Sequence, residues 1–241
     1  MIYKIYPAIL FLFLSFGTDS KNTAETKNVA AMSIAKIEKR SVIDTKIENI
    51  YNTLNTNSFV LPELKTFTEA LKGFYLLKEK GVIEKDILTL IDFSLSSNLK
   101  RLWVIDLTSN TILFQSLVAH GRNTGEEFAS AFSNVNSSFK SSLGFYATGE
   151  IYKGKHGISL RLDGLERGTN DNARERGVVM HGADYVSESF IKAHKRLGRS
   201  QGCPAIPVEL TDDIIQTIKG KSCLYIYHPS RSFVMEQRLI S

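Results

Sequence analysis

The stretch from Val178 to Pro207, VVMHGADYVSESFIKAHKRLGRSQGCPAIP, constrains this chain more than any other. Val178, Val179 and Met180 read as the end of a buried strand, and His181-Gly182 is expected to stop it at a rim where side chains become accessible. Ser187 is placed to cap a helix that carries Phe190, Ile191 and Leu197 at helical spacing, with Gly198 at its end. The chain then has to turn back through Arg199-Ser200-Gln201-Gly202-Cys203-Pro204, which has neither a strand nor a helix pattern. One short helical excursion thus separates a histidine at a strand end from a cysteine in a turn, so a base and a soft nucleophile can meet.

These residue types suit acyl transfer for definite reasons. A free thiol with a pKa of about 8.5 is only a few per cent thiolate at neutral pH unless an imidazole shares its proton, and His181 is the candidate partner of Cys203. Gly202 lets the backbone approach a substrate carbonyl closely. The amides of Gly202 and Cys203 are candidate oxyanion donors, each worth roughly 2.7–4 kcal/mol in a hydrolase site. Ser200 is placed to support the turn. The residues alone also admit a plainer reading, in which Cys203 is a small buried hydrophobe and His181 a surface side chain; adjacency in space decides between them.

The N-terminus reads as an export signal. Met1–Gly17 holds one lysine, an apolar run from Ala8 to Leu14, and Ser15 and Gly17 at the −3 and −1 positions of a cleavage site. The run is shorter than the ~20 residues a membrane span needs, so no integral span is expected after cleavage. No cysteine follows it, which argues against a lipid anchor. Cleavage removes only one charge, Lys4, from a formal net charge of +5, a modest balance that suits an anionic cell envelope. No basic stripe interleaved with aromatics is present, so nucleic acid is not an expected partner. The five histidines are scattered without paired ligand spacing, so neither a metal nor another cofactor is expected.

Four segments follow from the patterning: a signal peptide (1–17), a flexible tether rich in Lys, Thr, Asn, Ala and Glu (18–41), a helical segment (42–88) and a catalytic domain (89–241). In the helical segment Ile43, Ile47, Ile50, Tyr51 and Leu54 share one face. A second helix is expected from Pro62 with Leu64, Phe67, Leu71, Phe74 and Leu77 inward and Gly81 at its end, both helices packing on the catalytic domain. Alternation of Ile91, Phe93 and Leu95 with polar residues predicts a strand, and Leu102–Leu107 and Thr111–Val118 around Thr108-Ser109-Asn110 predict a hairpin that exits at His120-Gly121. His120 is left between a substrate-facing role and a loop histidine without one. Gly125–Ser142 is long for a connection and reads as a lid.

Gly144–Gly149 and Ile158–Leu162 read as strands around the basic turn Lys153–Gly157, where Tyr152 and His156 are candidate substrate contacts. Arg161, Asp163 and Arg174 are read as structural ion-pair residues. Beyond the central stretch, Pro207 opens a helix through Ile214, Ile215 and Ile218, whose dipole would favour a thiolate at Cys203 if the two are close. Cys223 falls in a strand-like run and is read as a buried hydrophobe. The expected architecture is mainly β with flanking helices: a small mixed-strand barrel or sandwich preceded by a short helical segment.

His181-Gly182 followed by Ser200-Gln201-Gly202-Cys203 resembles the signature of the L,D-transpeptidase catalytic domain, the YkuD-like family, in which a histidine-glycine or histidine-serine pair precedes a Ser-x-Gly-Cys turn by a similar distance. The stretches SSLGFYATGEIYKGKHGISLRLDGLE and NDNARERGVVMHGADYVS resemble the murein L,D-transpeptidase catalytic-domain-like branch, so the likeness runs from about Ile91 to Pro229. The resemblance implies an L,D-transpeptidase-like β-barrel or sandwich, Cys203 as nucleophile, His181 as general base and Gly182 as the residue whose carbonyl orients that histidine. It implies a secreted cysteine acyltransferase that passes peptidoglycan peptide stems through a Cys203 thioester in the periplasm or elsewhere in the cell envelope. An L,D-carboxypeptidase hydrolysing the same acyl-enzyme, or a non-catalytic wall-binding module, are the alternatives.

The motif requires Cys203 to be free, which disfavours a Cys203–Cys223 bridge. The family commonly has a second histidine before the glycine of the turn, where this chain has Gln201, and many members carry arginine or asparagine where it reads Ala205. These departures bear on substrate preference, and Gln201 and Arg199 are accordingly expected at the substrate. Nothing in the sequence fixes the oligomeric state.

Overall fold

Eight strands form one mixed sheet in the order β3-β2-β1-β8-β4-β5-β6-β7, in a computed structural model that describes residues 42–154 and 157–231. The strands are β1 (Ile87–Asp92), β2 (Leu102–Asp106), β3 (Thr111–Ser116), β4 (Gly144–Gly154), β5 (Gly157–Gly164), β6 (Val179–Gly182), β7 (Ala205–Ile206) and β8 (Cys223–Tyr227). Neighbours run antiparallel except at β1–β8 and β6–β7, which are parallel. Beyond β3 the chain reaches a bridge between Ala119 and Ala205 of β7, so the sheet nearly closes on itself as a barrel. Four helices flank it: α1 (described from residue 42 to 52), α2 (Leu64–Glu79), α3 (Glu188–His194) and α4 (Val208–Ile218). The mainly β architecture is thus the one expected from sequence. The signal peptide, the tether and His156 lie outside the described residues.

Alternation divides the strands between two surfaces. Ile91, Leu102, Val104, Tyr146, Leu160, Leu162, Met180, Leu224 and Ile226 point into one buried cluster, which α4 plugs with Ile214, Ile215 and Ile218. Residues of opposite parity on β1, β4 and β8 face α2. Phe145 and Tyr225 stack at 4.2 Å between ring centroids. A Cβ on Gly73 of α2 would lie 1.9 Å from the Phe145 ring, so only glycine lets the helix sit this close. Phe67, Leu71, Phe74 and Leu77 of α2 are fully or almost fully buried, worth roughly 1.5–3 kcal/mol each by area. α2 ends as expected: Gly81 takes a left-handed φ of 69°, and Val82 N–H returns to Leu77 O. Residues from Asp44 onward form one compact unit, with Ile47 buried and Tyr51 packed 5.4 Å from Phe67.

Several local expectations shift. The strand placed at Ile91–Leu95 runs over Ile87–Asp92, because parallel pairing with β8 rewards a run buried on both faces over an alternating one. The hairpin is as expected, with β2 and β3 paired from Leu102↔Ser116 to Asp106↔Thr111 and Asn110 at φ 51°. β4 and β5 extend to Gly154 and Gly157, well past the short strands foreseen. Ser187 caps α3, accepting from Phe190 N–H, but the helix ends in a left-handed Lys195 rather than at Gly198. α4 starts after Pro207 as expected. Cys223 is a fully buried strand residue, and both cysteines are free thiols. Arg174 binds Asp163 and Glu150, and Arg161 binds Glu150, the structural role assigned to these side chains.

Candidate active site

β6 supplies His181. The strand does not stop there: His181 pairs with Ser159 of β5 on one side and Ala205 of β7 on the other, and Gly182 continues to Ile206. His181 is therefore buried, 4% exposed, where the sequence suggested an accessible rim. Pairing on both edges removes the backbone from water, and the side chain follows. His181 Nδ1 lies 2.9 Å from the Gly182 carbonyl. A carbonyl can only accept, so Nδ1 carries the hydrogen in the neutral ring and the lone pair falls on Nε2. Gly182 has to be glycine, since a Cβ there would lie 2.3 Å from Thr211 Oγ1 on α4.

The turn that precedes β7 supplies Cys203, and Ser200 staples it. Ser200 Oγ accepts from Gly202 N–H at 3.0 Å and donates to Cys203 O at 2.6 Å. One expected oxyanion donor, Gly202 N–H, is thereby engaged, which leaves the amide of Cys203 beside its own sulfur. The turn is sewn to residues 120–122 beneath it: Ser200 N–H donates to His120 O and Arg122 N–H to Ser200 O. Ser141 Oγ bridges the two layers, accepting from Gly121 N–H and donating to Gly202 O. Gly202 sits at φ 124°, and a Cβ on it would meet Lys140 O at 2.8 Å. A Cβ on Gly121 would meet Gly202 Cα at 2.9 Å, so two glycines let three backbone segments stack at the site.

Cys203 Sγ, half-buried, lies 3.8 Å from Gly177 O and beside the backbone amide of Val179. Val179 and His181 are i and i+2 on β6, so their side chains share a face about 6.6 Å apart along the strand. The sulfur therefore sits over the start of the strand that presents the imidazole two residues on. Burial pushes the Cys203 thiol up from its ordinary value, opposed by the Val179 N–H and the Arg176 guanidinium. In the chain, β7 lies between Cys203 and the start of α4 at Val208. Tyr185 is pushed up to about 12 by burial and by the negative charge of a Cys203 thiolate.

The remaining candidates divide. Gln201 is exposed at the tip of the turn. Arg199 is tied to Glu126 at 2.6 Å and to the carbonyls of Arg122 and Gly125, so its guanidinium holds the turn to the preceding loop. Tyr152 pairs with Ser159, which pairs with His181, so Tyr152 stands in the same cross-strand row on the same face, about 10 Å away by two strand spacings. Its ring lies under Arg161 at 4.7 Å. His120 faces no substrate: it is 1% exposed, Arg101 Nη2 donates to its Nδ1 at 2.8 Å, and its Nε2–H reaches Gly125 O. Burial and the Arg101 charge hold His120 down at about 4.

Sequence reasoning missed Arg176 and Tyr185, which couple electrostatically to Cys203. Arg176 precedes Gly177 in a run of turns with no periodicity, and no charge pattern set it apart. Among the described residues no group of three or more His, Cys, Asp or Glu is arranged to hold a metal ion, and no helix is long and apolar enough to cross a membrane.

Comparison with known proteins places this geometry in a family. No curated protein matches the chain. Among solved structures, an L,D-transpeptidase from Mycobacterium smegmatis is 10% identical with a TM-score of 0.38, over 59% of this chain and 59% of that one. The helical cell shape determining protein Pgp2 (K307A mutant) from Campylobacter jejuni is 14% identical with a TM-score of 0.40, over 66% of this chain and 56% of that one. An L,D-transpeptidase from Xylanimonas cellulosilytica is 11% identical with a TM-score of 0.35, over 77% of this chain and 91% of that one. The chain thus spans less than two thirds of the first two of these structures. A family model described as the L,D-transpeptidase catalytic domain matches residues 61–227, so α2 and the whole sheet fall within it. This chain belongs to the L,D-transpeptidase catalytic domain family.

Proposed function

We propose that this chain is a secreted cysteine acyltransferase that carries out L,D-transpeptidation on peptidoglycan peptide stems, with Cys203 as nucleophile and His181 as general base. The observation that carries the reading is the pairing of β6 with β7. It sets an imidazole whose Nδ1–H is committed to Gly182 O next to the turn that holds a free thiol.

The steps balance around one proton. His181 Nε2 takes the thiol proton as Sγ attacks the carbonyl of the L-centre of the third stem residue. The tetrahedral oxyanion is held by the Cys203 amide. Collapse breaks the peptide bond to the following D-residue, whose amine leaves with the proton held on His181. The thioester is then attacked by the amine of a second stem, His181 receives that amine's proton, and the thiol is restored by its return. Water in place of the amine gives a carboxypeptidase. A thiol raised by burial suits this order, because the proton moves as attack begins rather than before it.

The apolar run and the Ser15 and Gly17 positions of the N-terminal segment support export to the cell envelope. Tyr152 and Gln201 are the proposed substrate contacts. The test supplies a tetrapeptide stem with and without a free D-amino acid and counts exchanged against trimmed product by mass spectrometry. Exchange supports the transferase; trimming alone, with acceptor in large excess, replaces it by the carboxypeptidase; no turnover leaves a wall-binding module.

A further inference from the structure

Arg176 has no part in the chemistry above, yet it binds the loop of residues 133–142 and lies close to the turn that holds Cys203. Its Nη1 donates to Ser133 O at 2.8 Å and to Ser142 Oγ at 2.5 Å, and its Nη2 donates to Lys140 O at 2.7 Å and more weakly to Ser138 Oγ at 3.4 Å. These acceptors span the far half of the long connection read from sequence as a lid. Lys140 O is also the atom against which Gly202 packs, and Arg176 Nη2 lies 3.5 Å from where a Gly202 Cβ would be. The residue after Arg176, Gly177, supplies the carbonyl nearest the sulfur. One side chain therefore joins the loop, the turn and the edge of the thiol.

Two roles are open to a guanidinium in such a place. It can fork onto a substrate carboxylate, or it can fix the wall of the site and its charge. Four of its five N–H donors are already committed to loop acceptors, and a fork needs two on one edge. The second role is the one its geometry leaves.

We propose that Arg176 is a positioning residue that clamps residues 133–142 against the Gly202-Cys203 turn and thereby holds a fixed positive charge beside Cys203 Sγ. The loop is then a wall of the site rather than a lid. The charge acts in a half-buried setting where solvent screens it little. The titratable groups that act on Arg176 are Tyr146 and Cys203, and those coupled to the thiol are Arg176 and Tyr185, with His181 two residues along from Val179 on β6. Tyr146 and Tyr185 are both raised and stay neutral near pH 7, so Arg176 supplies the fixed charge there. This inference rests on reading Cys203 as the nucleophile, but its test does not use stem turnover, so either can fail alone.

The test is the pH profile of Cys203 alkylation by iodoacetamide, read as intact mass, in the mature wild type, Arg176→Gln and Arg176→Lys. The Arg176→Gln midpoint should rise by about half a pH unit or more, which slows alkylation near pH 7 about threefold or more, because a lost positive neighbour disfavours the thiolate. A folded Arg176→Gln protein with the wild-type midpoint overturns the proposal. Hydrogen exchange across residues 133–142 supplies the second readout. Arg176→Lys keeps the charge but cannot span four acceptors, so the segment should exchange at least about tenfold faster than in wild type, as expected when a local clamp is lost. Unchanged protection in Arg176→Lys overturns the proposal even if Arg176→Gln does not fold.

Discussion

Gly182→Ala tests whether β6 is held at the position the site needs. The added Cβ would lie 2.3 Å from Thr211 Oγ1, 3.2 Å from Thr211 Cβ and 3.3 Å from Val208 Cα. Thr211 cannot simply rotate its hydroxyl away, since Oγ1 donates to Pro207 O at 2.9 Å at the start of α4. Overpacking of this kind costs about 1–3 kcal/mol, so taking about 2 kcal/mol, a chain of this size should lose ~4–8 °C in Tm. Thr211→Ala alone gives up one hydrogen bond, about 1 kcal/mol, and a methyl group. In the double variant the worst contact is gone and only the contacts at 3.2 and 3.3 Å remain. The two changes should therefore couple favourably by about 1–2 kcal/mol. Because Gly182 O is also the partner of His181 Nδ1, acylation should fall in Gly182→Ala and partly recover with Thr211→Ala. Thermal unfolding by circular dichroism and single-turnover acylation measure both. Strictly additive Tm changes would show that β6 and α4 are not in the contact described, and the argument for why position 182 is glycine would fail.

Further expectations are as direct. His181→Ala should slow acylation at least about a hundredfold, and Gln201→Ala by much less, because an amide cannot take the thiol proton; the reverse order in single-turnover rates would mean the roles are misassigned. His120, held down at about 4 against an ordinary 6.5, is neutral when folded and takes up a proton when unfolded. The stability it contributes is present above about pH 6.5 and is lost as pH falls through about 4, a loss of at most ~3.5 kcal/mol. Urea midpoints against pH should be flatter in His120→Gln than in wild type, and parallel profiles would count against a buried neutral imidazole. Shortening residues 125–142 should raise the share of trimmed over exchanged stem, since that segment walls the site from water; an unchanged ratio would remove the loop from acceptor selection.

What the sequence made legible was local. The helix faces of α2 and α4, the Thr108-Ser109-Asn110 hairpin and the Ser187 cap all follow from spacing and turn chemistry, and each is where the residues place it. His181 and Cys203 were legible because one short excursion joins them. The burial of His181 was not, since it depends on β5 and β7 pairing on both sides of β6, and β5 is separated from it by the turns of residues 165–178. β1 misled by a similar route: its partner β8 lies at the far end of the chain, and two-sided burial erased the alternation the reading relied on. Arg176 and the Gly121–Gly202 stack were illegible because backbone carbonyls, which have no sequence identity, are the atoms they meet. His120 was half legible. Its place at the hairpin exit was foreseen, while its use by the buried Arg101 came from a side chain nineteen residues away.

The measurement that bears most directly on the account is the intact mass of the protein quenched shortly after mixing with a tetrapeptide stem, followed by peptide mapping. The account predicts a transient adduct equal to the acyl tripeptide, attached to the peptide that contains Cys203. It also predicts that the adduct and all stem turnover are lost in a Cys203→Ala protein whose unfolding temperature is close to that of wild type. A folded Cys203→Ala protein that still turns over stems, or an adduct that maps to another residue, would contradict it.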